Sequence, residues 1–267
     1  MIVVKIGGSV VNDLHPTFLP DIKKLYGNEK IILAHGGGKI VTETAIKLGR
    51  EQKFIISPTG VRSRFTDMET AEIYTMVMSG KINKSIVRMF LQNGINAVGI
   101  SGIDAGILRA DRKRKLIVIN EKGRKMTIEG GYTGKIKSLD PLLLNILVGN
   151  SYLPVVSPVA LSEDFDFLNV DGDRAAAHIA AGMNAEKVIF ITNVNGLIIG
   201  GKLITHLTLK GAKEIMPKLG FGMEKKVLAC TEAIEMGVKS AIIASGQVND
   251  PISSAIACEN CTVINSL

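Results

Sequence analysis

The sequence predicts an α/β protein, a three-layer αβα sandwich with a mostly parallel central sheet and two lobes around a cleft. Two observations carry this. Short apolar runs such as Ile2–Ile6 (Lys5 apart), 31–34 and 188–192 lack the alternation of a half-exposed strand, as in strands covered on both faces. These runs end in glycine or Asn-Gly turns and lead into stretches with helical spacing, and the βα alternation repeats along the chain. Hydrophobic content of 46% and charged content of 21% in 267 residues allow a sizeable core and argue against disorder.

The most informative stretch is IILAHGGGK, residues 31–39. A buried strand, three glycines and a helix over about 39–48 present bare backbone N–H groups to an anion. Residues 2–9, IVVKIGGS, repeat the device with Lys5 inside the strand. A buried ammonium is costly unless it finds a partner, so the two strands together predict a cradle for phosphate or carboxylate. Neither is a Walker A loop, because Leu33 stands where its first glycine belongs and Ile40 follows the lysine. No G-x-G-x-x-G fingerprint is present, which weakens a dinucleotide reading.

Other elements follow from local signals. Residues 16–26 have helical spacing through Leu19, Ile22 and Leu25, and Phe54–Ile56 reads as a short strand closed by Ser57-Pro58. A loop with Arg62 and Arg64 precedes a capping box, Thr66 with Glu69, whose helix Gly80 is expected to break before a second helix at 82–91. Residues 97–100 read as a strand. From Ile107 the texture alternates through Leu108, Leu116 to Ile119, a turn at Glu121-Lys122-Gly123, then Met126 and Ile128, the pattern of a β-ribbon. GGYTGKIK at 130–137 again places glycines for close backbone approach. A helix at 142–148, a strand Leu153–Ser157 and a polar turn into an alanine-rich helix at 168–181 follow. Gly200-Gly201 marks a hairpin tip, 220–236 a glycine loop entering a helix, and 240–244 and 262–264 the last strands.

Net charge is +7, and it is local. Between Arg109 and Lys137 lie ten basic residues opposed by three acidic ones, so the rest of the chain is neutral overall. Charge concentrated in this way predicts a docking surface for something acidic. A nucleic-acid ribbon would interleave aromatics with the basic residues, but only Tyr132 stands among them. No apolar run approaches the roughly 18 residues of a membrane span, and Met1 leads straight into a strand, so a cytoplasmic protein is expected. The three cysteines make no disulfide framework; Cys258 and Cys261 form a C-x-x-C without a matching pair. Packing or an incidental disulfide is expected there, and no metal site.

Taken together, the chain resembles the amino acid kinase family, specifically its acetylglutamate kinase branch. The motifs span the whole chain in order: Lys5-Ile-Gly-Gly8, His35-Gly-Gly-Gly38, Arg64-Phe-Thr-Asp67, Leu168-Asn-Val-Asp-Gly-Asp173, Thr192-Asn-Val-Asn-Gly196 and Gly222-Met-Glu-Lys-Lys226. The resemblance implies a single domain over 1–267, with residues 1–183 binding substrate and forming a homodimer, and 184–267 holding ATP. It implies transfer of the ATP γ-phosphoryl group, with Mg2+, to a side-chain carboxylate. Lys5 and Lys226 would touch the transferring phosphate, Asp173 would hold both lysines, and Gly8 and Gly37 would offer N–H groups. Arg64 and Asn169 would grip the substrate α-carboxylate, while Gly36 and Gly37 take the reacting end. Thr192, Asn193, Gly196 and Gly222 would join Lys5, Gly8 and Lys226 around the nucleotide.

By spacing alone Lys226, beside Lys225, belongs to a solvated helix face, and Asp173 also suits a helix cap. His35 is expected to orient its loop. The chain lacks a helix ahead of the first strand, as arginine-inhibited acetylglutamate kinases have, which favours a simple dimer. GGYTGK and the basic ribbon resemble kinases acting on aminoadipate or glutamate carried on LysW, a small acidic amino-group carrier protein. Arg112, Lys113, Arg114, Lys122, Arg124 and Lys125 are then expected to dock the carrier, away from the phosphate cleft. The alternative substrate is free N-acetylglutamate. A non-catalytic nucleotide sensor on the same fold is disfavoured by the intact Lys5, Asp173 and Lys226.

Overall fold

Among the described residues, eight strands build the central sheet: β1 (Ile2–Ile6), β2 (Ile31–His35), β3 (Ala97–Ser101), β4 (Leu153–Ser157), β5 (Lys187–Thr192), β6 (His206–Thr208), β7 (Ser240–Ser245) and β8 (Thr262–Asn265). Their order is β6-β8-β7-β5-β1-β2-β4-β3, and all neighbours run parallel except β7 and β8. The computed structural model describes residues 1–8, 13–58, 60, 62–120, 123–220 and 222–266.

The inner strands are largely apolar because each face has its own cover. Val3, Ile32, Val156, Phe190 and Ile243 pack against helices Leu142–Gly149, Gly172–Gly182 and Met223–Glu235. Their neighbours Val4, Leu33, Val155, Ile189 and Ile242 pack against helices Phe18–Tyr26, Gly38–Lys47, Asn83–Gln92 and Pro251–Ile256. The side-chain period of two divides each strand between the two cores. The chain builds β2, β3 and β4 on one side of β1 and then crosses to build β5 to β8 on the other, so the carboxyl ends of β1, β2 and β5 open a crevice of the kind that takes ligands in open α/β sheets. A smaller sheet, ordered Phe167–Asn169, Val159–Leu161, Leu108–Arg112, Gly134–Leu139, stands beside that crevice. The basic ribbon is a separate two-stranded hairpin, Lys115–Ile119 with Lys125–Glu129.

Some local expectations are corrected. Gly80 does not break its helix: Met68–Thr75 runs through a π-helical stretch, Met76–Ile82, into Asn83–Gln92. Burial of Val77, Met78, Ile82 and Ile86 along that rod outweighs the ~1 kcal/mol that glycine costs a helix. Asp67, not Thr66, is the N-cap, its carboxylate accepting from Thr70 N at 2.9 Å. The Thr66 hydroxyl instead accepts from Asn169 Nδ2 at 3.0 Å. Likewise Asp171, not Asp173, caps Gly172–Gly182, accepting from the amides of Asp173 and Arg174. All three cysteines are unpaired; Cys230 and Cys261 are buried and Cys258 is exposed. The short helices Leu209–Ile215 and Pro251–Ile256 were not expected. The second is held by buried Asp21, which accepts from Ile252 N at 2.7 Å and Ser253 N at 2.9 Å.

Candidate active site

The register pairs Lys5 with Ala34 on one side and Phe190 on the other, which puts its side chain at the carboxyl end of the sheet's centre. Its Nζ lies 2.6 Å from Asp173 Oδ1, and Lys226 Nζ lies 3.1 Å from Asp173 Oδ2. One carboxylate from helix Gly172–Gly182 therefore ties together a strand and helix Met223–Glu235. Burial by itself pushes the Asp173 carboxyl up, but the two ammoniums outweigh it and hold the group at about 2. Burial, then repulsion from Lys5, lowers the Lys226 pKa against the attraction of Asp173.

Beside this triad the two glycine turns pack back to back. A Cβ on Gly8 would meet Gly37 N at 2.3 Å, and one on Gly37 would meet Ile82 Cδ1 at 2.2 Å. Gly37 is the N-cap of Gly38–Lys47, whose first amides have no partner within the helix. Gly36 differs from the expectation, because its N–H already donates to Ile6 O at 2.9 Å. It gives room near Lys5 Nζ rather than an amide to the reacting end of a ligand.

His35 is fully buried, and burial above all lowers its pKa to about 4. Its Nδ1 faces Gly36 O at 3.0 Å and its Nε2 faces Asn83 Nδ2 at 3.3 Å. Neutral imidazole with the proton on Nδ1 satisfies both. Because the folded pKa lies below the unfolded 6.5, this stabilisation is complete above that pH and declines as pH falls toward about 4. We expect that acid-side loss to be absent from the urea-unfolding profile of His35→Gln; an unchanged profile would remove His35 as its source.

Arg64 reaches the cleft wall at the start of helix Gly38–Lys47, donating to Gly38 O and Thr42 Oγ1, both at 2.8 Å, and to Gln52 Oε1. It lies over the Phe54 ring. Lys5, Gly8, Gly36, Gly37, Arg64, Asn169 and Asp173 all line one cleft of about 600 Å³. Thr192, Asn193, Gly196, Gly222 and Lys226 are not among its lining residues, although Asp173 and Lys225 are, so Lys226 joins the site through its contact with Asp173. Thr192 ends β5 and its hydroxyl donates to Asn193 Oδ1 at 3.3 Å. Gly196 is required where a Cβ would lie 2.4 Å from Thr262 Oγ1, and Gly222 holds a φ of 93° ahead of its helix.

The six basic residues expected to dock a carrier do not form one outer surface. Arg112 stacks over Tyr132 and pairs with Asp166 at 3.1 Å, and Arg114 pairs with Asp164 at 2.7 Å. Lys113, between them, lines the cleft. Extended chain sends alternate side chains to opposite sides, so three consecutive cations split two to one. Arg124 and Lys125 are exposed on the ribbon, while Lys122 lies outside the described residues. The apolar residues Leu116, Ile117 and Val118 of the same ribbon also line the cleft. Thr133, from the GGYTGK stretch, joins them there without having been singled out in the sequence.

A strand-centred lysine, a shared aspartate and glycine amides at one sheet end provide positive charge without a general base. Residues 1–245 match the amino acid kinase family. The chain belongs to that family. A LysW-aminoadipate/LysW-glutamate kinase of Saccharolobus solfataricus is 45% identical over 266 residues, 99% of this chain and 100% of that one. A Nitrosopumilus maritimus protein given the same name provisionally is 59% identical over 264 residues, 99% of each chain. The fold matches smu.665 of Streptococcus mutans with a TM-score of 0.80 at 20% identity, covering 100% of this chain and 98% of that one. It also matches isopentenyl phosphate kinase with a TM-score of 0.66 at 20% identity, covering 99% and 100%. Among the described residues, no cluster of His, Cys, Asp or Glu suits a metal ion, and no helix is long and apolar enough to cross a membrane.

Proposed function

We propose that this kinase phosphorylates the side-chain carboxylate of aminoadipate or glutamate whose amino group is linked to a small acidic carrier protein of the LysW kind. The Lys5–Asp173–Lys226 triad beside the glycine turns carries the reading. The names of full-length relatives at 45% and 59% identity support the substrate.

A carboxylate is ionised at neutral pH, so attack on phosphorus needs no base; the barrier lies in bringing anions together. Lys5 and Lys226 meet the moving phosphoryl group, Asp173 fixes both ammoniums, and the amides of Gly8 and Gly37 add donors. A Cβ at Gly8 would run into the Gly37 backbone and one at Gly37 into Ile82 and Met78, so neither turn could keep its place with a side chain. Bound ATP supplies the phosphoryl group. Asp173 is held by two lysines and Asp171 by its helix, so Mg2+ would be held mainly by the phosphates of the nucleotide rather than by these carboxylates. Residues 1–183 form the substrate lobe and 184–267 the nucleotide lobe, with Thr192, Asn193, Gly196 and Gly222 under the nucleotide. Exposed Leu91, on the helix that packs on β3, and exposed Leu142 and Ile146, on the helix that packs on β4, support a homodimer, which sedimentation tests.

The deciding assay compares ATP turnover on carrier-linked aminoadipate, carrier-linked glutamate and free N-acetylglutamate. Turnover of the free acid alone overturns the carrier reading. Arg64→Ala is expected to raise KM for the amino-acid substrate far more than Arg62→Ala, because a bidentate guanidinium suits the α-carboxylate. Equal effects would remove Arg64 from that role.

A further inference from the structure

Lys113 and Thr133 sit in one lateral row with Asn169. Strand Leu108–Arg112 pairs with Gly134–Leu139 so that Arg112 opposes Gly134, and one step on Lys113 N donates to Thr133 O at 2.9 Å. Thr133 in turn bridges Asn169 across the next strand. Residues directly opposite one another point to the same face, and all three line the cleft. The row thus offers an ammonium, a hydroxyl and an amide.

Two of these groups lack a match in the protein. Thr133 Oγ1 is buried with no hydrogen-bond partner. Lys113 is half-buried and has no carboxylate within ion-pair distance among the described residues. The nearby acids are committed elsewhere: Glu232 holds Arg174 through two contacts of 2.7 Å, and Asp171 caps its helix. Burial, with repulsion from Arg174 and Lys135, lowers the Lys113 pKa. A half-buried cation beside an unsatisfied hydroxyl calls for an anionic oxygen ligand. The glycines of the motif explain how the row is assembled. A Cβ on Gly130 would lie 1.4 Å from Lys113 O, and one on Gly131, which has positive φ, 2.2 Å from Thr66 O.

We propose that Lys113 and Thr133 are substrate-binding residues that hold the α-carboxylate of the amino-blocked substrate, Lys113 by ion pairing and Thr133 by a hydroxyl hydrogen bond. This rests on the function proposed above and moves Lys113 from the carrier-docking surface into the pocket.

The test uses carrier-linked glutamate and the same conjugate with its α-carboxylate converted to the carboxamide. In the wild type the carboxamide raises KM about tenfold, the scale of one charge-assisted hydrogen bond. In Lys113→Met the acid itself is weakened and the preference for acid over amide falls severalfold, the part that remains belonging to Arg64, as a double-mutant cycle on a shared carboxylate requires. KM for ATP stays unchanged, and Lys113→Arg recovers most of the difference. Thr133→Val weakens the acid while Thr133→Ser does not. If Lys113→Met still discriminates acid from amide as the wild type does, the assignment is overturned, whatever its folding. Should the wild type turn over no carrier-linked conjugate, the proposed function fails. The same comparison with N-acetylglutamate and its α-amide then decides the role of Lys113 separately.

Discussion

Lys226→Ala and Lys5→Ala are each expected to lower kcat by about a hundredfold or more, the scale of one lost electrostatic stabiliser of a transition state. In either variant Asp173 keeps one ammonium, so the carboxylate stays paired and the fold persists. The loss should fall on kcat more than on KM for ATP, because the lysines gain most when charge moves onto the transferring oxygens. Urea unfolding measured alongside separates this from collapse of the site. Near-normal turnover in Lys226→Ala would sink the assignment of that lysine to the phosphoryl group.

Asp173→Ala is expected to do damage of a second kind, to stability as well as rate. It leaves two largely buried ammoniums facing each other, and breaking a buried pair by removing one partner costs about 3–5 kcal/mol. The effect depends on pH with a definite sign. The Asp173 pKa is held at about 2 when folded against 3.8 unfolded, so its stabilisation is complete above the unfolded value and declines as pH falls through the folded one. This linkage amounts to about 2–3 kcal/mol. Stability curves of wild type and Asp173→Ala should therefore converge between pH 4 and 2. A gap of constant size across that range would mean that the carboxylate contributes by packing alone.

What could be read in the sequence depended on how local the cause was. β1 and β2 were legible because burial on both faces leaves no polar alternation, and the glycines after them announce the turn. Lys5, Asp173 and Lys226 were legible as motif members, and the expectation that one aspartate holds both lysines came from the resemblance, because no local pattern carries that tertiary geometry. Arg112, Lys113 and Arg114 read as one patch, because composition does not say which side of an extended chain each residue takes. Thr66 and Asp67 are adjacent candidates for one cap, and a one-residue choice turns on where Asn169, about a hundred residues later, sends its amide. Gly80 was misleading because propensity is weak against burial along a long apolar rod. Helix Pro251–Ile256 is too short to show a period, and its capping carboxylate, Asp21, lies at the other end of the chain.

The position of β1 has a mechanical consequence. Five register pairs join it to β2 and five more join it to β5, so the floor of the crevice is one continuous hydrogen-bonded plate. Bending within this plate would have to shear ladder bonds at the buried strands β1, β2 and β5. Opening and closing is thereby left to what stands above the plate, the hairpin of Phe54–Ile56 with Arg62–Arg64 and the basic ribbon, whose ladder pairs, among the described residues, each stay within one pair of strands. Amide exchange should separate the two, slow at β1, β2 and β5 and fast along the hairpins, with ligand slowing only the latter.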